Sequence, residues 1–136
     1  MANDKARWME KDGVQSDASA VARFPFQRLD AYHSARALAA LVHRAAISDA
    51  ELRDQATRAA KSAFLNLCEG LPDDRPAMRR KYFASADGSL HEAVGAVDLA
   101  AAIGAVGAGR AAEIHAEALR LRALLRGLMR ISGRGR

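Results

Sequence analysis

The segment from Gln55 to Gly70, QATRAAKSAFLNLCEG, restricts this chain more than any other. On a 3.6-residue wheel Gln55, Ser62, Asn66 and Glu69 share one face, while Ala56, Ala60, Ala63, Phe64 and Leu67 form the apolar side. A helix that only has to bury itself gains nothing from Asn, Ser and Glu, whose polar groups need partners once they leave water. The pattern therefore specifies a helix contact in which a polar seam fixes neighbour and register. Its counterpart is the stretch ADGSLHE, 86–92, in a helix where Tyr82, Ala86, Ser89, Ala93, Ala96, Ala100 and Ile103 recur at steps of three and four. Small side chains in that stripe let a neighbouring helix approach closely, with Ser85, Ser89 and Glu92 beside it. We expect Ser62 and Asn66 to meet Ser89 or Glu92.

The rest of the chain supplies two more helices. Met1 to about residue 23 reads as mostly disordered, with a possible helical fragment around Trp8, and Phe24-Pro25-Phe26 marks an extended entry that closes one end of the core. A first helix is expected from Leu29 or Asp30 to about Ala46, its apolar positions at Tyr32, Ala35, Leu38, Ala39 and Val42. Ser48 is the expected N-cap of the second helix, forming a capping box with Glu51, and that helix runs from about Asp49 to Cys68. Gly70 follows as a left-handed terminator. Glu69 at that helix end opposes the dipole and calls for a cation, with Arg58, Arg75 and Arg79 in range. The third helix, capped by Asp73 or Asp74, spans about Arg75 to Ile103, and GAVGAG at 104–109 is a turn. That turn lacks the preceding strand and following Lys-Ser or Lys-Thr of a phosphate loop. A fourth helix, about Arg110 to Ile131, carries Ile114, Ala118, Leu121, Leu124, Leu125, Leu128 and Ile131 on one face. The tail from Ser132 to Arg136 reads as mobile.

The fold class expected is all-α, an antiparallel up-down four-helix bundle over residues 24–131, between an N-terminal segment, 1–23, and a basic tail, 132–136. Composition agrees: half the residues are hydrophobic yet only 5% are aromatic, which suits closely packed helices. No stretch approaches about 18 uninterrupted apolar residues, and the N-terminus lacks the apolar centre of a signal peptide. One cysteine, Cys68, allows no internal disulfide, so the expected location is the cytoplasm, with no membrane contact.

Charge is concentrated. The net charge of +5 lies wholly between Arg110 and Arg136, where seven arginines face only Glu113 and Glu117. Arg122, Arg126 and Arg130 line the face of the last helix opposite its apolar stripe, and Arg120 stands near them. Leu119 projects among them, as expected of a face partly covered by another subunit. Such a cationic row attracts polyanions, although it also occurs as plain solvated surface.

The search for chemistry excludes more than it finds. His33, His43, His91 and His115 show no metal-ligand spacing, and the Glu-x-x-His pattern of di-iron bundles is missing. Ser62 and Ser89 have no His-carboxylate set, and Cys68 has no activating base. The expectation is a protein without catalytic residues, metal or cofactor.

Read as Q-x-x-R-A-x-x-S-x-x-x-N-L-x-E-G followed by A-x-G-S-x-x-E, residues 55–92 resemble the 23S ribosomal RNA intervening-sequence proteins, also known as four-helix-bundle proteins. The matching positions are Gln55, Arg58, Ala59, Ser62, Asn66, Glu69, Gly70, Ala86, Gly88, Ser89 and Glu92; the likeness extends more weakly over Phe24 to about Leu128. Leu-Pro-Asp-Asp after Gly70 departs from the family, which tends to carry small residues and a basic one there. The resemblance implies a small bundle assembling into a ring, usually a pentamer, with no catalytic residues. The expected function is a non-enzymatic oligomeric scaffold binding RNA or DNA backbone through Arg120, Arg122, Arg126 and Arg130. The alternative is a protein-interaction module without nucleic-acid binding, such as the reverse-transcriptase accessory proteins of diversity-generating retroelements.

Overall fold

The computed structural model describes residues 23–133. The N-terminal segment, with its expected helical fragment, and the last three residues of the tail lie outside that range. A 3-10 turn, Pro25–Arg28, leads into α1 (Asp30–Arg44), α2 (Ala50–Gly70), α3 (Pro76–Ala102) and α4 (Ala108–Gly133). Each helix packs on its chain neighbours, and α4 closes on α1. Hydrogen bonds pair Ser34 with Glu117 and Arg110 with the Arg44 carbonyl, so α1 and α4 run antiparallel. The fold is an up-down four-helix bundle.

Alanine governs the packing. Ala56, Ala59, Ala60 and Ala63 of α2 and Ala86, Ala93, Ala96 and Ala100 of α3 are all buried, and α2–α3 is the most closely packed pair. Side chains this small permit short interaxial distances along the whole contact. Phe83, Leu38, Ile47, Leu67, Leu90, Leu121 and Leu125 fill the remaining core volume. The α3 face differs from the expected one. Its buried row is Phe83, Ala86, Leu90, Ala93, Val97 and Ala100, while Tyr82 and Ser89 are only half-buried and Ile103, beyond the helix end, is exposed. Alanines on several faces of α3 left the angle of the stripe underdetermined.

Several termini also differ from expectation. The N-cap of α2 is Asp49, whose Oδ1 accepts from the Leu52 amide at 2.9 Å. Ser48 instead donates from both its amide and its hydroxyl to the Ala105 carbonyl, tying the α1–α2 loop to the α3–α4 loop. A carboxylate in the first-turn dipole is a strong cap, which leaves the serine free for that tie. The reversal after α1 is made by Ala46 at φ 50°, and the one after α3 by Gly104 at φ 80°. At the other end of the bundle, Phe26, Tyr32 and Phe64 stack edge-on or tilted at 5.6 and 5.3 Å. Phe24, expected to help close the core, is 69% exposed. Ser132, expected in a mobile tail, is buried within α4, because Arg79 and Arg80 bind it from α3.

Gly70 does not act as a left-handed terminator. It is the last residue of α2 and is followed by a right-handed helical Leu71. A Cβ added there would lie 2.8 Å from the buried Phe83 ring and 3.0 Å from the Tyr82 Cβ. The glycine is needed because α3 approaches so closely. Gly70→Ala should cost about 1–3 kcal/mol, the usual penalty for overpacking, measured by chemical denaturation against wild type.

Candidate functional site

The motif residues fall on the α2–α3 contact and its margins. Ser62 Oγ and Ser89 Oγ lie 2.8 Å apart, bridging the two helices. Asn66 donates from Nδ2 to the Ser62 carbonyl at 3.0 Å and to Ser62 Oγ at 3.2 Å. The three residues form one half-buried chain of hydrogen bonds that belongs to a single register of α2 on α3. Glu92 stays outside it, exposed on α3. Gln55 is half-buried one and a half turns above Ala59 and Ala60, and Arg58 is exposed. Ala86 is buried, and Gly88 is exposed with open space where a Cβ would stand.

Glu69 finds no arginine. It lies beside the Tyr82 hydroxyl, where its negative charge first, and its hydrogen bond second, push the phenol above its ordinary value of 10.0. Arg79, one of the cations expected for Glu69, serves the backbone. Its Nη1 donates to the Gly70, Leu71 and Asp73 carbonyls, at 2.6 Å for Leu71, and its Nε donates to Ser132 Oγ. The guanidinium also sits 5.0 Å over the Phe83 ring. Carbonyls at a helix C-terminus have no intrahelical donors, and a planar group with five donors satisfies several at once. Asp73 accepts from the Arg75 amide and side chain, which hold its carboxyl down to about 2. The arginine hub around Phe83 and Ser132 was missed by sequence reasoning; Arg79 and Arg80 one turn into a helix behind Pro76 were its only trace.

The cationic row of α4 is divided. Arg122, Arg126 and Arg130 are exposed and make no ion pair with any described residue. Arg120 pairs with Glu117 at 3.4 Å, and Glu117 accepts from the buried Ser34 hydroxyl at 2.6 Å. Arg120 thus belongs to the α1–α4 contact. A second cationic surface, which the sequence did not reveal, lies in the α1–α2 groove, where Arg53, Arg58, Lys61 and His43 surround Asp54 and Thr57. Its members sit on two helices, and only packing unites them.

Conventional catalytic machinery does not assemble among the described residues. Ser62 and Ser89 bond to each other, and burial pushes the Cys68 thiol up, away from the thiolate. His91 Nδ1 lies 2.8 Å from the carbonyl of Asp87 one turn before it. No three His, Cys, Asp or Glu side chains there converge to hold a metal ion, and no helix is long and apolar enough to cross a membrane.

An all-helical bundle with a bonded polar seam between two alanine-faced helices and a cationic outer row defines a small helical protein of the intervening-sequence type. The family described as 23S rRNA-intervening sequence protein matches residues 27–127. The chain belongs to that family. A comparison with curated proteins found no match.

Two outcomes check this geometry. Arg79→Ala should destabilise the fold by about 2–3 kcal/mol, since hydrogen bonds from a charged donor are among the stronger ones, read by thermal and chemical denaturation. Glu69→Gln should return the Tyr82 phenol toward its ordinary value in a spectroscopic titration. The sign follows from linkage: a raised folded value contributes stability that is present below the unfolded value and fades as pH rises through the folded one.

Proposed function

We propose that this chain is a non-enzymatic, self-associating cytoplasmic scaffold that binds the phosphate backbone of RNA or DNA through the C-terminal half of α4. The observation that carries the reading is the exposure of Arg122, Arg126 and Arg130 on one face without intramolecular ion pairs. Guanidinium groups free of carboxylates are available for bidentate phosphate contact. Aromatic side chains are scarce on α4, which disfavours base stacking and favours sequence-independent backbone binding. Self-association, in the pentameric form the resemblance implies, would repeat the row and raise avidity without new contacts.

The test is fluorescence anisotropy of a labelled structured RNA and a DNA duplex over a salt series. Affinity should fall steeply with salt, and each phosphate neutralised on duplex DNA contributes about 0.9 to the log-log slope. Replacing Arg122, Arg126 and Arg130 together by Gln should weaken binding and shorten the slope by about 2–3 units for each engaged copy, with helicity unchanged by circular dichroism. No binding by wild type at low salt, or equal binding by the variant, overturns the reading in favour of a protein-interaction module.

A further inference from the structure

The side of the bundle between α3 and α4 is unusually bare. An open groove of about 360 Å³ runs along it, lined mostly by Val94, Val97, Ala101, Ala108, Ala111 and Ala112, with Asp98 as the only charged carboxylate and no Lys or Arg. A second apolar hollow continues it past Leu90 and Ala118 to Leu119, with Arg122 at its far end. Leu99 and Leu119 are 52% and 54% exposed. Gly88 and Gly95 stand exposed on α3, one heptad apart, and a Cβ at either would meet nothing in the chain. Each glycine inside a helix costs about 1 kcal/mol relative to Ala, and no contact within this chain uses the bare surface they create.

The opposite side has the complementary character. Because contacts run α1–α2–α3–α4 and back to α1, the α1–α2 groove lies across the bundle from the α3–α4 groove. It presents Arg53, Arg58 and Lys61 against one carboxylate, Asp54. On the same α2 stripe as Arg58 and Lys61, Leu65 projects at 58% exposure. The α3 side carries Asp98 in its groove, exposed Glu92, and Asp87, whose buried Oδ1 has no hydrogen-bond partner. One side offers a projecting apolar residue flanked by cations, and the other an apolar groove flanked by carboxylates.

We propose that the α3–α4 groove is the docking site for the α2 face of a second copy of this chain, with Leu65 entering the groove and Arg58 and Lys61 facing its acidic margin. This rests on the self-association part of the proposed function and assigns its surfaces. Because the two surfaces differ, the contact is heterologous: each copy keeps one free groove and one free α2 face, so assembly proceeds past the dimer until a ring closes. The same contact covers Leu119 and leaves Arg126 and Arg130, further along α4, outside it.

The two surfaces can be disabled separately at exposed positions, Leu65→Glu on α2 and Leu119→Glu on the groove, with helicity followed by circular dichroism. By analytical ultracentrifugation at micromolar concentration, wild type should sediment as an assembly larger than a dimer and each variant as a monomer. An equimolar mixture of the two should form a dimer and nothing larger, because only one intact groove meets one intact α2 face. If either variant assembles like wild type, or the mixture stays monomeric, the assignment of surfaces is overturned while self-association stands. A monomeric wild type overturns self-association itself, and this inference with it.

Discussion

The close approach of α2 and α3 is the constraint on which the rest of the molecule depends. Alanines on both helices remove the bulk that would hold them apart, and Gly70 removes the last methyl where Phe83 and Tyr82 cross. Two helices this smooth could slide past one another, since one alanine replaces another at little cost. The Ser62–Ser89 bond, extended by Asn66, belongs to one register only. Packing supplies the proximity and the hydrogen bonds supply the alignment, so neither suffices without the other.

This division explains what was legible in the sequence. A polar face on α2 with no other use was visible directly, and it located the seam. Helix number and order followed from apolar spacing and from punctuation by Pro76 and the glycine-rich turn. What stayed hidden depends on the competition between groups for partners. Ser48 and Asp49 are both good caps; the choice fell to the Ala105 carbonyl, on a loop 57 positions away. Glu69 seemed to require a cation, but the carbonyls ending α2 held a stronger claim on Arg79 than an exposed carboxylate that a tyrosine hydroxyl could serve. Of the four candidate arginines on α4, Arg120 was separable from the others only once Glu117 and Ser34 were seen together. The candidate site was therefore readable as a row of like charges, but its limits were not.

The long α4 combines two surfaces of opposite character. Its first half, with Ala108, Ala112 and Leu119, borders an apolar groove, and its second half presents arginines to solvent. A helix of this kind separates self-association from polyanion binding along its length, so that one function does not bury the residues required by the other. The hub at Arg79 sits at the arginine end and fixes the last turn of α4 through Ser132. The direction of the cationic row is thereby set by the α2–α3 turn.

The closure of the bundle has a kinetic consequence. α2 and α3 are joined by the short turn 71–75, so their contact forms between segments already near each other in the chain. The α1–α4 contact is closed by Ser34 and Glu117, which are 83 positions apart, and it carries the greater loop-closure entropy. α1, at 15 residues, is also the shortest helix. An early transition state should therefore contain the α2–α3 hairpin as a template, with α1 docking late. Substitutions in the polar seam would then slow folding, whereas those at Ser34 would mainly speed unfolding.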